Sequence, residues 1–530
     1  MKNSTKLRLI ISFISGILMG MTAAPFGVWP LAWIALIPLW IFTVKSQKSE
    51  KTLYLYAILW AIGYHGLTLS WIIKLHPLTW LGIPWILSLA IAIGALLLFT
   101  IWGSVLVTIW AIGNRRIFQF IANNKSPIPN GLIHVLIGTT LWCVLEYIWS
   151  AGPFWWTSLS FTQSPHNLAI LHLSQISGPN TINAVIVAVN GLIAEALISR
   201  ESQAKSLYKG YLSLAIALLI TSHLIGWGIY SQPLNDRPNN ALKVGIIQGN
   251  IANRIKFTPE GLRLSLIRYT NGYRNLAQQG VAAVLTPEGA LSSQWSDPPS
   301  LNNPFYQAIL DENVVAWVGA HRRQGNSFTN SLFTVTGTGE IFSRYDKVNL
   351  VAFGEYVPFR DILGRIFPQV SAVGSDQVPG VSNQIIDTPF GRAIVGICYD
   401  SAFTRHFQRQ AALGGQFILT SSNNDPYNAA MQFQHHAQDV LRAIESDRWA
   451  VRATNTGYSA IVDPHGKTKW ISQTKTFQIH ADTVYRRQTK TLYVRWGDWL
   501  TPLLLLTSAI IVTGKFWSAQ IPDFFKKSGI

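Results

Sequence analysis

Cys398 follows the apolar run Ala393-Ile394-Val395-Gly396-Ile397, which reads as a buried strand that delivers the next side chain to the carboxyl edge of a sheet, where α/β folds place their ligand chemistry. It is the one cysteine of the segment 231–495, so it has no partner there for an intramolecular disulfide. A lone thiol is more often an inert buried group than a nucleophile, and Cys143, inside an apolar stretch, is read that way. Company changes the reading for Cys398. Glu288 ends the run Val281-Ala282-Ala283-Val284-Leu285-Thr286 after a single proline. A carboxylate at such a strand end can accept a thiol proton. Lys347, in Tyr345-Asp346-Lys347-Val348, can bring positive charge to a developing oxyanion. Glu355, in Gly354-Glu355-Tyr356, supplies a second carboxylate in a supporting role. Each charged residue alone would be an ordinary surface group; together with a thiol they make an acyl-transfer set working through a thioester.

The elements that must carry this set read as alternating strands and helices. Ala241–Gln248, Val281–Thr286, Val314–Gly319, Arg392–Ile397 and Gln416–Thr420 are short β-rich runs, and Pro259–Gln279 and Met431–Ser446 are helical stretches between them. This predicts a layered α/β domain, preceded by a polar linker with two prolines at Ser231–Asn240.

The rest of the chain has a different composition. Only 13% of the 530 residues are charged and 49% are hydrophobic, against about one quarter charged in soluble proteins. Seven stretches long enough to cross about 30 Å of hydrocarbon lie near 8–24, 28–44, 53–73, 80–112, 131–149, 176–198 and 211–229, and an eighth near 499–514. The first is read as a retained span rather than a cleaved signal. Lys2, Lys6 and Arg8, then Lys45, Lys48 and Lys51, then Arg115, Arg116 and Lys125, then Arg200, Lys205 and Lys209, and finally Lys515, Lys526 and Lys527 flank alternate ends of the spans, while the opposite loops carry almost no basic residues. Positive residues stay in the cytoplasm, which puts both termini inside and the segment 231–495 outside. The net charge of +17 is thereby mostly topology, and a nucleic-acid partner loses its support. The expected organisation is 1–230 as a seven-helix transmembrane region, 231–495 as an extracytoplasmic catalytic domain, and 496–530 as a last helix with a cytoplasmic tail.

Glu288, Lys347 and Cys398 stand in contexts that resemble those of the nitrilase superfamily, and eight spans around such a domain resemble the bacterial apolipoprotein N-acyltransferases. The likeness runs through Gln248-Gly249-Asn250-Ile251, Pro287-Glu288, Thr329-Asn330-Ser331, Phe353-Gly354-Glu355-Tyr356-Val357-Pro358, Ile397-Cys398-Tyr399, Arg442-Ala443-Ile444-Glu445 and Arg452-Ala453-Thr454-Asn455-Thr456-Gly457, and includes Ala24-Pro25-Phe26 in the membrane half. The resemblance implies an αββα sandwich inserted between the seventh and eighth helices of an eight-helix bundle. It implies Glu288, Lys347 and Cys398 as catalytic triad, with Glu355, Asn330, Tyr399 and Asp400 in support. The implied reaction moves an acyl chain from a phospholipid, through a Cys398 thioester, to the α-amino group of the diacylglyceryl-cysteine of an apolipoprotein. The implied setting is the bacterial inner membrane, with membrane lipid and the two substrates as partners and no cofactor.

Three positions depart from the family pattern: Asp400 replaces the usual Glu, Phe257 stands where a Trp is expected, and Asn424-Asp425-Pro426-Tyr427-Asn428 replaces a more aromatic loop expected to cover the acyl chain. Phe257, Asn424, Asp425 and Tyr427 are therefore substrate-loop candidates. Glu146, an ionisable group near the outer end of a span, is a functional candidate by default; Glu195, near the cytoplasmic end, is expected to snorkel. Trp155 and Trp156 are expected as an interfacial anchor, with a share in the lipid entrance as the lesser reading. His435 and His436 have no further His or Cys at metal spacing, and no metal is assigned. A tethered amidohydrolase using the same triad is one alternative, weakened because a single span would anchor a hydrolase. A non-catalytic transporter or lipid-binding relative is the other, weakened by the intact triad.

Overall fold

A computed structural model describes residues 2–45, 50–122, 129–291, 295, 299–325, 327–356 and 377–527. Lys48, Lys125, Val357 and Pro358 lie outside the described residues. The chain divides into two compact units: Met1–Ile73, Leu89–Gln232 and Trp496–Ile530 form one, and Lys74–Ser88 with Pro233–Arg495 the other.

The first unit is helical. Trp85–Ala122, Asn130–Trp149, Pro179–Glu201 and Lys205–Tyr230 are each long and apolar enough to cross a membrane. Two of the other expected spans are broken by local chemistry. The stretch 28–44 becomes a 3₁₀ turn, Trp29–Trp33, and a helix, Ile37–Lys45, because Pro30 and Pro38 lack the amide hydrogen an unbroken helix needs. The stretch 53–73 becomes Glu50–Ala61, a π turn Ile62–Gly66 and a 3₁₀ turn Ser70–Leu75. The helix Lys2–Gly20 crosses that π turn closely: a Cβ on Gly63 would meet the Phe13 carbonyl at 2.6 Å, and one on Gly16 the Trp60 carbonyl at 2.0 Å. Small residues let helix backbones approach in this way. Trp85–Ala122 runs straight through Arg115 and Arg116, and the last helix extends from Leu500 to Lys527.

Two six-stranded sheets form the second unit. One has the order β12-β1-β2-β3-β4-β5 and the other β11-β10-β9-β8-β7-β6, where β1 is Ala241–Gln248, β2 Ala283–Leu285, β3 Val315–Gln324, β4 Ser327–Val335, β5 Ile341–Asp346, β6 Ile386–Thr388, β7 Gly391–Ile397, β8 Phe417–Ser422, β9 Ala450–Thr454, β10 Ala460–Val462, β11 Thr468–Ile471 and β12 Gln478–Tyr485. In each sheet three consecutive strands pair in parallel, β1-β2-β3 and β7-β8-β9, and every other pairing is antiparallel. The five strands legible in the sequence supply most of the parallel cores. The antiparallel strands β4, β5 and β12 and the short β6, β10 and β11 are not among the runs read as strands.

Alternation along the strands builds the layers. Val244, Ile246, Leu285 and Trp317 pack with Val395, Ile397, Leu419 and Val451 between the sheets. Ile247, Val284 and Phe333 point the other way, onto Tyr269, Tyr273 and Leu276 of the helix Pro259–Gln278 and onto Phe305 and Ile309 of Pro304–Glu312. The helices Thr404–Ala412 and Ala429–Ser446 cover the second sheet, completing the αββα order. One polar bolt crosses the apolar seam at the sheet ends: Gln248 Oε1 accepts from the hydroxyls of Ser459 (2.8 Å) and Ser472 (2.7 Å), and its amide donates to the Gln473 and Thr476 carbonyls.

Candidate active site

The carboxyl ends of β2, β5 and β7 bring the predicted triad together. Glu288 leaves β2 through Thr286 and Pro287, and the two sheets meet at this point because the Ser421 hydroxyl of β8 donates to the Thr286 carbonyl at 3.0 Å. Glu288 is buried, 7% exposed. Its Oε1 accepts from the Asn330 side-chain amide at 2.6 Å and from Lys347 Nζ at 3.1 Å, and its Oε2 accepts from the Asn423 backbone N–H at 2.7 Å. Lys347, one residue beyond β5, is anchored by its own N–H donating to the Asn330 carbonyl at 2.8 Å. Its ammonium also donates to Glu355 Oε1 at 2.6 Å, while Glu355 Oε2 accepts the Val351 N–H at 2.8 Å. Asn330 and Glu355 thus both contact the Glu288–Lys347 pair.

Cys398 begins a 3₁₀ turn, Cys398–Ala402, directly after β7 and is 7% exposed. Its φ of +50° is a left-handed conformation that a residue with a Cβ adopts only when its surroundings enforce it. Asp400 is one enforcing group. Its Oδ1 accepts from the Asn349 N–H and side-chain amide, both at 2.8 Å, and its Oδ2 from the Tyr345 hydroxyl at 2.7 Å and the Ile397 N–H at 3.0 Å. Four donors on four acceptor sites leave this carboxylate complete, so the shorter side chain ties the Cys398 turn to the strand that delivers Lys347. Tyr399 is buried and packs edge-on against Phe403, with ring centroids 5.0 Å apart.

Burial and neighbouring charge set the protonation states. Burial pushes the Cys398 thiol up, Glu288 adds to the shift and Lys347 opposes it, leaving the thiol well above its ordinary range. Burial also favours the protonated form of Glu288, but Lys347, Lys256 and Asn330 outweigh it and the carboxyl lies below its usual value. Desolvation of Lys347 is overturned by Glu288 and Glu355, so its ammonium is held firmly charged. Glu355 is raised by burial and by Glu288 despite Lys347. The site thus holds a neutral thiol beside an ionised carboxylate, an arrangement in which a proton could pass from the thiol to the carboxylate only as the sulfur forms a bond.

Two contributors escape sequence reasoning. Lys256 is buried, with Nζ 3.3 Å from the Glu288 carbonyl, and burial pulls it to about 8 against the charges of Glu288 and Asp425. It stands immediately before Phe257, and that adjacency was the available signal. Asn423 acts through its backbone N–H, for which the side-chain sequence holds no signal.

Of the loop candidates, Tyr427 is raised by burial and then by the charges of Cys398 and Glu355, which places it within electrostatic reach of the triad. Asp425 accepts the Asn253 N–H at 2.7 Å. Asn424 is fully buried and points into the core, and Phe257 is 63% exposed. Among the described residues no cluster of His, Cys, Asp and Glu is arranged to hold a metal.

Residues 15–192 match the family model described as apolipoprotein N-acyltransferase N-terminal domain, and residues 243–481 match carbon-nitrogen hydrolase. An apolipoprotein N-acyltransferase of a Nostoc species is 56% identical over 92% of this chain and 95% of its own length. The chain belongs to the apolipoprotein N-acyltransferase family. A Synechocystis enzyme of the same name is 44% identical over 93% of this chain and 98% of its own length. Among solved structures, the Saccharomyces cerevisiae nitrilase-superfamily protein Nit3 covers 48% of this chain and 92% of its own at 17% identity, with a TM-score of 0.38.

The family assignment covers the helical unit as well, where three expectations need correction. Glu146 accepts from Trp142 Nε1 (2.9 Å) and the Leu159 N–H (3.1 Å) on Oε1, and from the Ser158 hydroxyl (2.6 Å) and Asn183 amide (2.8 Å) on Oε2. It ties the segment 158–159 to the helices Asn130–Trp149 and Pro179–Glu201 and has no acceptor site left for a substrate. Trp155 and Trp156 are buried, with Trp156 edge-on to Trp71 at 5.5 Å; they are packing residues of the unit rather than outward anchors. Glu195 does not snorkel but is buried against His134 Nδ1 (2.7 Å) and Trp40 Nε1 (3.1 Å), because donors from neighbouring helices satisfy a carboxylate inside an apolar unit.

Proposed function

We propose that the chain transfers an acyl chain from a phospholipid to the α-amino group of a diacylglyceryl-cysteine at the N-terminus of an apolipoprotein, through a thioester on Cys398. Glu288 takes the thiol proton as Sγ attacks the ester carbonyl, Lys347 and backbone N–H groups balance the oxyanion, and the lysophospholipid leaves with the proton returned by Glu288. The amine of the acceptor then attacks the thioester, Glu288 accepts its proton, and the Cys398 thiol is regenerated with an amide as product. A single nucleophile serving two bulky lipids in turn makes the kinetics ping-pong. The observation that carries this reading is the convergence of Glu288, Lys347 and Glu355 around Cys398, itself held in a left-handed turn.

The alternation of basic loops supports eight membrane crossings with both termini cytoplasmic and residues 231–495 on the outer side, and membership of the family supports the bacterial inner membrane as the setting. Phospholipid carrying a labelled acyl chain, given alone, should leave a hydroxylamine-labile label on Cys398, and addition of a diacylglyceryl-cysteine peptide should discharge it as an amide. A reporter fused after Ile229 should read as extracytoplasmic and one at the C-terminus as cytoplasmic. Intersecting double-reciprocal plots without a trapped thioester would replace the covalent route by a ternary complex.

A further inference from the structure

The left-handed backbone of Cys398 needs a restraint on its carbonyl side as well as on its N-terminal side, and the described residues supply one outside the triad. His435, on the helix Ala429–Ser446, places Nε2 2.8 Å from the Cys398 carbonyl oxygen. Which ring nitrogen carries the proton follows from its neighbours. Arg452 Nη2 donates to Asn424 Oδ1 at 3.2 Å. A guanidinium cannot accept, so the Asn424 oxygen faces Arg452 and its NH₂ faces His435 Nδ1, 3.1 Å away. Nδ1 is then the acceptor, and the proton sits on Nε2, pointing at the Cys398 carbonyl. Arg452 is itself held by Asp439 and by the Tyr458 carbonyl at 2.9 Å, and Asp439 accepts the Thr420 hydroxyl at 3.0 Å. Gly457 leaves room for this arrangement, since a Cβ there would stand 2.7 Å from Asn424 Oδ1. Every member from Asp439 to Cys398 is buried.

We infer that His435 is a positioning residue for the nucleophile: its Nε2–H, fixed in that tautomer by Asp439, Arg452 and Asn424, holds the Cys398 carbonyl and thereby keeps the turn left-handed and the position of Sγ in the site fixed. The inference rests on the reading of Cys398 as the acyl carrier. Burial and the Arg452 charge lower His435 to about 3, so the ring stays neutral and the restraint holds throughout the working range. Loss of the donor would let the turn relax toward negative φ and move Sγ from that position.

The test compares His435→Leu, which removes the donor, with His435→Gln, whose amide keeps an N–H near the Nε2 position, in full-length protein in a Cys143→Ala background so that Cys398 is the one thiol. Thioester formation from labelled phospholipid should fall about 10²-fold in His435→Leu, the scale of a misplacement near 1 Å. It should stay within about tenfold of the parent in His435→Gln, with the phospholipid KM little changed in both. The groups that act on the thiol are Glu288, Lys347, Glu355 and Arg452, with Tyr427 also in range. In His435→Leu the pH midpoint of Cys398 alkylation should therefore drop toward that of an ordinary thiol, a property of each folded molecule that loss of folded protein would not move. Parental acylation rate and midpoint in His435→Leu would overturn the inference. So would equal losses in the Leu and Gln variants accompanied by lower melting temperatures and an unmoved midpoint, which would make the bond merely structural. Turnover by Cys398→Ala would instead overturn the nucleophile assignment, while the alkylation midpoint would still report on His435.

Discussion

Glu146 in the helical unit and Glu288 in the sandwich are both buried carboxylates flanked by neutral amide donors, yet one is closed and the other open. A carboxylate offers about four acceptor positions. Glu146 has all four filled, by an indole, a backbone N–H, a hydroxyl and a side-chain amide. Glu288 has three donors among the described residues, two on Oε1 and a single backbone N–H on Oε2. One of its donors is a lysine shared with a second carboxylate. Saturation makes a buried charge into a fastener, whereas one position open among the described residues, charge balance and a neighbouring thiol fit Glu288 to the proposed part of base. An ionisable residue inside an apolar segment is therefore a weak pointer to function until its donors are counted.

Substitutions at the open site should have the largest effects. Cys398→Ala is expected to abolish both thioester and turnover, and Glu288→Gln to do nearly the same, because an amide cannot take the thiol proton. Lys347→Met removes charge from the oxyanion and should cost about 3 kcal/mol of barrier, read as kcat for acylation with protein folding checked by melting. Near-normal turnover in Glu288→Gln would erase the distinction between the two carboxylates.

At the closed site the effect should appear in stability. Glu146→Gln places an NH₂ where only donors converge and is expected to cost about 1–3 kcal/mol, lowering the melting temperature while acylation per folded molecule stays unchanged. A variant that melts normally but fails to acylate would show that Glu146 belongs to the chemistry.

Glu445 sharpens the contrast through pH. It is buried beside Arg442, and burial, opposed by Arg442 and the Thr404 hydroxyl, raises its carboxyl to about 7. Between the unfolded value near 4.5 and about 7, the folded protein keeps a proton that the unfolded chain has released. Its contribution is thus fully present below the unfolded value and lost as pH rises through about 7, a change of about 3 kcal/mol at most. Glu445→Gln should flatten this part of the melting profile against pH, while the pH dependence of acylation stays that of Glu288.

The smallest effect is expected at Phe257. Its side chain is largely exposed, so Phe257→Ala should change stability by no more than about 0.5 kcal/mol and leave thioester formation within a few-fold. A large rise in phospholipid KM would give that ring a part in binding the acyl chain.

Residue type and adjacency singled out Cys398 and Glu288, because each follows an apolar run that reads as a strand, whereas Lys347 and Glu355 were singled out by charge and by the family motifs around them. The sequence alone also carried the α/β character of 241–485 and the apolar character of the helices, which depend on local pattern. Tertiary structure decided the rest. Lys256 and the Asn423 N–H reach Glu288 across 32 and 135 residues of chain. The departure at Asp400 reads as a possible defect until its four donors are seen, two of them from Asn349. Glu146, Glu195, Trp155 and Trp156 look available in a linear reading and are buried in fact. The physical reason is common to all of these: hydrogen-bond saturation and desolvation are set by what folds against a side chain, and the donors that complete or leave incomplete a buried carboxylate come from segments far away in sequence.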